Sequence, residues 1–352
     1  SSAYGGAYPL IVRSVAEAAG TREIAGCGAS GVIAGGREFE SGPSLAVLVI
    51  GGGTIAPTRL FVPQLRGRSA EVASEIAAAV RPHLGPNNLL CLFPDTYNFN
   101  PDPLIATLAR ELPGVTVVGG GATEDGSVGE TFQFCGDVVS SNAVSGMLLA
   151  GEFALNLGVA NACAPLGPAH RITAVRDNII LELDGRRAWD VFAEAAGPLA
   201  DDPARALTFV FAGIPLTPGA DHLVRGNFYV RNITGASPEH GAIAVAHRPK
   251  LGDTIGFVLR DGERSRTELK ATLAEMASRS ARTPAFGLYF DCVSRGSGLY
   301  GIPDHDSAYI GQLLGPVPVA GFFTGFEIGP LGDATGLLQY CGVLATISEP
   351  PA

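Results

Sequence analysis

The densest cluster of ionisable side chains in the sequence is Asp304-His305-Asp306. Two carboxylates beside an imidazole could hold a metal ion or tune a proton near neutral pH. Three consecutive residues do not converge easily on one ion. Asp306 also precedes SAYIGQLL (307–314), so an N-cap role is the favoured reading. Arg295 follows an apolar run and opens a glycine-rich loop, which puts its guanidinium at a strand end. That planar fork suits a carboxylate held by two hydrogen bonds. The alternative is an internal ion pair with Glu327 or Asp304. Glu327 itself is a candidate acceptor for a ligand ammonium or for an arginine. Arg231 and Asn232 alternate with apolar neighbours in FYVRNITG (228–235), so one faces the core side and the other the opposite side. Either Arg231 lines a ligand cleft with Arg295 or it is a solvated strand residue. Cys292 could act as a nucleophile with His305 as base, but a thiol ending an apolar strand is usually buried and inert. Ser1 would be a nucleophile only if processing exposes it beside its own amine.

Other chemistries find little footing. The glycine clusters Gly51-Gly52-Gly53 and Gly119-Gly120-Gly121 fit neither phosphate-binding nor dinucleotide-binding fingerprints, and tight turns are the better account. The six histidines (His83, His170, His222, His240, His247, His305) form no HExxH and no close pair, and no cofactor is predicted from motifs. The six cysteines form no CxxC and lack disulfide-scaffold spacing, which points to a reducing cytoplasm. Cys163, in a loop before Pro165, is expected to be exposed. A net charge of −10 opposes binding to phosphate backbones, so no nucleic-acid partner is expected. No apolar run reaches the ~18 residues of a membrane span, and no signal-peptide pattern opens the chain.

Length and composition set the frame for these residues. At about 150 residues per domain, 352 residues suggest two domains. Hydrophobic residues at 46% and a mean hydropathy of +0.25 exclude disorder. The 47 glycines, nearly twice the ordinary share of about 7%, imply many turns and speak against a helical bundle.

The periodicity predicts helices over 9–19, 69–80, 102–112 and 306–314. It predicts another from Ser265, whose Ser265-x-x-Glu268 spacing is that of a capping box. Strands are expected at 44–52, 58–64, 88–95, 115–122, 206–216 and 284–292, with a hairpin joining ETFQFCGDVV and AVSGMLLAG. GPLADDPARA (197–206) is the expected linker.

The two halves repeat one plan. NNLLCLFPD mirrors PAFGLYFDC, VTVVGGGAT mirrors VPVAGFFTG, and Gln133-Phe134-Cys135-Gly136 mirrors Gln339-Tyr340-Cys341-Gly342. The expectation is α/β (α+β): two related halves with mixed, largely antiparallel sheets, outer helices and a pseudo-twofold. The domains are placed at 1–196 and 206–348, with a ligand cleft at or near their junction. The strand ALTFVFAGIPL has no counterpart in the first half, which suggests a missing leading segment before Ser1.

At this point the sequence resembles a family. GCGASGVIAGGREFE (26–40) looks like the start of the FIST N-terminal domain, and ANACAPLGPAHRIT (160–173) with NIILELDGRRAWDVF (178–192) like its linking region. NFYVRNITGASPEHGAIAV (227–245), FVLRD (257–261), SRGSGLYGIPDHD (294–306) and AGFFTGFEIGP (320–330) look like the FIST C-terminal domain. The resemblance covers almost the whole chain. It implies a bacterial small-ligand sensory domain in signal transduction, with amino acids as suggested ligands. In some relatives it implies haem-based nitric oxide sensing, for which His247 or His305 would be the axial ligand here. The chain departs from the family pattern at Cys292-Val293-Ser294-Arg295-Gly296, at Phe326 and at Leu338-Gln339-Tyr340-Cys341. Phe326 could narrow a pocket beside Glu327.

The expectation is therefore a cytoplasmic, non-catalytic sensor of a small anionic or zwitterionic metabolite. Its ligand residues are Arg231, Asn232, Cys292, Arg295, His305 and Glu327. Its partners are the ligand and a signalling protein, with no membrane. The alternatives are a haem sensor, a Cys292 or Ser1 enzyme, and a protein-interaction platform.

Overall fold

A computed structural model describes residues 1–350 except Gly52 and Ala281; the middle of the first glycine cluster thus lies outside the described residues. The chain is α+β with mixed, largely antiparallel sheets. It forms two compact units that interleave along the sequence. The first comprises Ser1–Ala160, Glu268–Leu337 and the closing strand from Cys341; the second is Asn161–Thr267 with Leu338–Tyr340.

The first unit holds two six-stranded sheets built from twelve strands. In chain order these are β1 (Val32–Ala34), β2 (Arg37–Phe39), β3 (Ile55–Pro63), β4 (Asn87–Pro94), β5 (Thr116–Gly120), β6 (Ala143–Gly151), β7 (Ala154–Asn161), β8 (Phe286–Cys292), β9 (Val319–Thr324), β10 (Glu327–Leu331), β11 (Ala334–Leu338) and β12 (Cys341–Ser348). Sheet one runs β11-β10-β5-β4-β6-β3 and sheet two runs β2-β1-β9-β8-β12-β7. Helices α1 (Ser69–Val80) and α2 (Pro101–Glu111) accompany sheet one; α3 (Gly262–Arg279) and α4 (His305–Leu314) accompany sheet two.

The topologies match strand for strand, and the match extends to register. Gly119 in β5 pairs Leu92 in parallel and Ile328 in antiparallel; Gly321 in β9 pairs Tyr289 and Ile33 in the same way. A Cβ on Gly119 would lie 2.0 Å from the Leu92 carbonyl oxygen, and one on Gly321 would lie 2.0 Å from that of Tyr289. Gly121 N–H donates to Phe326 O at 2.9 Å, and Phe323 N–H donates to Gly31 O at 3.0 Å. The expected internal repeat is therefore real, and its pairing of NNLLCLFPD with PAFGLYFDC is the register observed.

The two copies exchange their edges. Hairpin β1–β2 lies early in the chain yet completes sheet two, beside β9. Hairpin β10–β11 lies late in the chain yet completes sheet one, beside β5.

Apolar spacing explains the helices. Val72, Ile76 and Val80 of α1 and Leu104 and Leu108 of α2 bury against Leu90, Leu92 and Leu148 of sheet one. Leu269, Leu273 and Met276 of α3 and Ile310 and Leu314 of α4 bury against Tyr289 and Leu344 of sheet two. A buried leucine stabilises by about 1.5–3 kcal/mol, so these stripes seat the helices without strong intrinsic propensity.

Several local expectations need correction. Residues 45–50 read as a strand but join no ladder, and Leu45, Val47 and Val49 are exposed. The hairpin before β6 is Gln133–Cys135 with Val138–Ser140, and β6 pairs β3 and β4 instead. The Gln-aromatic-Cys-Gly match is not structurally equivalent, since Gln133–Cys135 forms that hairpin while Cys341 begins β12. The linker segment is helical, as Gly197–Asp201 and Pro203–Phe209. Helix α3 starts at Gly262, and Asp261 Oδ1 accepts the Arg264 N–H at 2.8 Å, so Ser265 lies inside the helix rather than capping it. Cys163 is buried.

The second unit is a nine-stranded sheet in which Thr254–Arg260 and His170–Arg176 are central neighbours. Helix Ala188–Ala196 buries Trp189 and Phe192 against it, with Phe192 edge-on to Phe257 at 5.3 Å. Val210–Pro215, the supposed leading strand, belongs to this sheet, so neither six-stranded sheet calls for it.

Candidate functional site

Strands β8 and β9 are parallel neighbours, and open α/β sheets bind ligands at the carboxyl ends of such strands. There β8 ends at Asp291-Cys292 and leads into the loop 293–304. Gly296 (φ 65°) and Gly301 (φ 73°) bracket its single helical turn, Ser297–Tyr300, in a conformation that favours glycine. Glu40, just beyond β2, clamps the loop: its Oε1 accepts Ser297 N–H at 2.8 Å and its Oε2 accepts Ser297 Oγ at 2.9 Å. Tyr300 stacks on His305 at 3.6 Å, and Tyr309 meets the same imidazole edge-on at 5.0 Å.

Within this loop Arg295 turns inward and is 1% exposed. Its Nε lies 2.7 Å from Asp291 Oδ1, its Nη2 donates to Asp306 Oδ2 at 2.6 Å, and its Nη1 donates to Ala160 O at 3.2 Å. Tyr289 Oη donates to Asp306 Oδ2 at 2.7 Å, and His305 Nδ1 is 2.8 Å from Asp306 Oδ1. Burial works to raise the Asp306 pKa, but Arg295 and the hydrogen bonds from His305, Arg295 and Tyr289 outweigh it, so the carboxyl stays low and ionised. Asp291 goes the other way. Burial pushes it well up against the pull of Arg295, and Asp306, Glu38 and Glu327 add to the rise. Its Oδ2 has no hydrogen-bond partner.

Each exchanged hairpin adds a buried glutamate. Glu327 opens β10; its Oε1 lies 2.5 Å from Thr324 Oγ1 and its Oε2 lies 3.2 Å from Cys341 Sγ. Burial pushes it up to about 7, against the hydrogen bonds from Thr324 and Cys341. Glu38 in β2 accepts the Ser307 N–H on Oε1 at 2.8 Å, at the start of α4, while its Oε2 is unpartnered. Burial pushes it up to about 7, with the Ser307 N–H and hydroxyl opposing and Asp306 and Glu40 reinforcing the shift.

Four of the six expected ligand residues therefore lie in this one cluster: Cys292, Arg295, His305 and Glu327. Arg295 does form internal ion pairs, but with Asp291 and Asp306 rather than Glu327 or Asp304. Asp304 instead pairs with Arg37 at 2.9 Å and accepts the Glu38 N–H at 2.7 Å. Asp304 also holds the N-cap position, so Asp306 lies in the first turn of α4, buried against Arg295. Cys292 Sγ accepts from Ser294 Oγ at 3.1 Å, whereas His305 Nδ1 is engaged by Asp306, so the two are held by different partners. Arg231 and Asn232 lie in the second unit. Arg231 Nη1 donates to Val230 O at 2.8 Å and its guanidinium covers the Tyr229 ring at 4.4 Å; Asn232 Oδ1 accepts from Tyr340 Oη.

Sequence reasoning missed Asp291, Tyr289 and Glu38. A charged residue ending the apolar run FGLYFDC was a usable signal for Asp291. Nothing local marks Glu38, which joins the site only through the hairpin exchange.

Haem fits neither histidine well. The His305 ring is covered by two tyrosines amid buried ion pairs, and His247 is half-buried beside Tyr229 with Arg231 on that ring. Haem iron requires an axial ligand opening on a flat apolar slot. No metal-holding group of three or more His, Cys, Asp or Glu occurs among the described residues. Ser1 Oγ donates to Gly42 O at 2.8 Å and accepts from Ser44 N–H at 3.1 Å, and its amine donates to Ser44 O at 2.7 Å.

Residues 1–186 match the FIST N domain, and residues 188–330 match the FIST C domain. The chain belongs to the FIST family. FIST domains are small-ligand-binding sensory domains. This FIST protein is 31% identical over 327 residues to uncharacterized proteins of two Mycobacterium tuberculosis strains, covering 92% of this chain and 82% of theirs. It is 31% identical over 326 residues to one of Mycobacterium bovis, with the same coverage. Among solved structures, a cyanuric acid hydrolase from A. caulinodans spans 85% of this chain and 100% of its own at 14% identity, but its TM-score of 0.20 carries no inference. No helix among the described residues of this FIST protein is long and apolar enough to cross a membrane. Its Phe326 stacks on Phe99 at 4.7 Å as part of the sheet-one core. Its Gly121 leaves room for Phe326 and Thr96, so the second glycine cluster serves close packing rather than a turn.

Proposed function

We propose that this FIST protein senses a small zwitterionic metabolite such as an amino acid, bound at the sheet-two end beneath the 293–304 loop. The observation that carries this reading is the buried Arg295–Asp291–Asp306 cluster under a glycine-bracketed loop. Burying charges costs several kcal/mol each, and an apolar replacement often holds a fold as well or better. Such a cluster therefore supports a role in recognition. A zwitterion is favoured over a plain anion because Arg295 already faces two carboxylates, with Glu38 and Glu327 in excess.

The reading includes a cytoplasmic setting, supported by six free cysteines, and a signalling partner that responds to the ligand. Loop opening at Gly296 and Gly301 would admit the ligand. The test is a thermal-shift and calorimetric screen of amino acids, amines and keto acids on the full chain. A saturable rise in Tm for amino acids, lost in Arg295→Lys, is the expected result. Silence across the panel in both measurements overturns it.

A further inference from the structure

We infer that Glu38 and Asp291 form an ammonium subsite that holds protons when no ligand is bound, so that ligand uptake releases protons. This rests on the small-ligand reading above and names the group that reading leaves open.

Glu38 is 6% exposed and Asp291 0%; Asp291 Oδ2 has no hydrogen-bond partner, and Glu38 Oε2 has none beyond the equally unmatched hydroxyl of Ser307 beside it. Buried acceptors are almost always matched by a donor. The nearby guanidinium meets Asp291 through Oδ1 and leaves Oδ2 unmatched. Two buried carboxyl groups thus share one arginine, and the buried Glu38 and Glu327 add negative charge around Asp291. An ionised carboxylate with an unmatched buried oxygen is costly; at Glu38 the Ser307 hydroxyl can turn to supply one neutral donor, whereas Asp291 Oδ2 is completed by a proton or a cationic donor. A primary ammonium supplies three N–H donors and a positive charge, which suits orphaned carboxylate oxygens.

The groups facing Glu38 favour this exchange. Asp306 and the Ser307 hydroxyl stand at the start of α4, Asp291 lies near the end of β8 with Arg295 behind it, Glu40 follows just beyond β2, and Asp304, paired with Arg37, accepts the Glu38 N–H. Negative charge predominates, so a proton on Glu38 is retained until a competing cation arrives. The balance is simple: the ammonium enters with its own three protons, and the proton displaced from the carboxyl goes to solvent.

The test is calorimetry of the full chain with an amino acid, its keto-acid analogue and its N-acetyl derivative, in buffers of differing ionisation enthalpy. The amino acid should release about one proton below pH 7, and its apparent affinity should rise about tenfold per pH unit there before levelling off. Glu38→Gln should flatten that profile, and Asp291→Asn should weaken amino-acid binding at every pH. Keto-acid or N-acetyl binding equal to that of the amino acid overturns the ammonium subsite while leaving a small-ligand sensor standing. If no compound binds, both readings fall. The proton half is also read without ligand: infrared spectra near neutral pH should show buried protonated carboxyl absorption that loses one component in Glu38→Gln and another in Asp291→Asn, and spectra unchanged in both variants refute the stored protons.

Discussion

Sheet one and sheet two end in the same backbone but in opposite chemistry. Two residues beyond Leu92 stands Pro94, followed by Asp95; two beyond the equivalent Tyr289 stands Asp291, followed by Cys292. Asp95 is fully buried, and three backbone N–H groups satisfy it: Tyr97 at 2.8 Å, Asn98 at 3.2 Å and Asn142 at 2.9 Å. Asp291 is equally buried but faces the side chain of Arg295 and keeps an unmatched oxygen. Backbone donors at a turn are present whenever the turn is. A side-chain ion pair with a spare acceptor can be rearranged. The repeat thus offers an internal control: one end closed by its own main chain, the other assembled from side chains of three distant segments.

The largest effect expected is at Arg295. Arg295→Ala leaves Asp291 and Asp306 buried without their cation and should cost ~3–5 kcal/mol in denaturant unfolding. Replacing the trio together, with Met at 295 and Leu at 291 and 306, should restore most of that stability and abolish ligand binding. A triple variant as unstable as Arg295→Ala would show that the cluster is there for the fold, which makes the two ends alike after all.

The second effect is one of pH. Glu38 and Glu327 are both raised to about 7 from an ordinary value of 4.5. A raised acid holds its proton more tightly folded than unfolded. Its contribution is therefore fully present below about pH 4.5 and is lost as pH rises through about 7, worth up to ~3 kcal/mol per group. Unfolding free energy measured between pH 4.5 and 7.5 should carry this downward component, and the Glu38→Gln, Glu327→Gln pair should remove it.

Third, Gly119→Ala and Gly321→Ala each drive a methyl group into a carbonyl oxygen on the neighbouring strand. Both should destabilise by ~2–3 kcal/mol through the shared clash, with Gly119→Ala slightly the worse because the φ of 154° at Gly119 adds backbone strain. A large difference would mean that the two sheets are not mechanically equivalent. The smallest effect is Asp95→Asn. Turning one carboxylate oxygen into an amide forfeits a bond from a backbone N–H, at roughly 1.5 kcal/mol, with ligand affinity unchanged.

Much of the repeat was legible because it is local. The Val72, Ile76, Val80 stripe and the apolar runs of β4 and β8 declare their elements within a few residues. Pairing is not local. SLAVLVI reads as a strand, yet residues 45–50 have no ladder, since a strand pattern records a side-chain rhythm and not the presence of a neighbour. Helix starts were ambiguous for a related reason: Asp261 and Ser265 both carry cap chemistry, and the tertiary fold selects the earlier one. At the site, Arg295, His305 and Glu327 stood out through their loop and turn settings. Their partners did not, because Glu38 lies more than two hundred positions away and Asp291 looked like the end of a strand.

The exchanged hairpins also set a timetable. Residues 32–39 emerge from the ribosome early, but their partner strand, 319–324, follows roughly 280 residues later, some 15–60 s at ordinary synthesis rates. During that interval β1 and β2 have no sheet to complete, and sheet one still lacks the edge supplied by 327–338. Unpaired strand edges are what chaperones shield and what aggregation exploits. The nascent chain therefore carries two open edges until residues 319–338 arrive, and the loop-clamping carboxylate of Glu40 and the buried Glu38 can take their places only then.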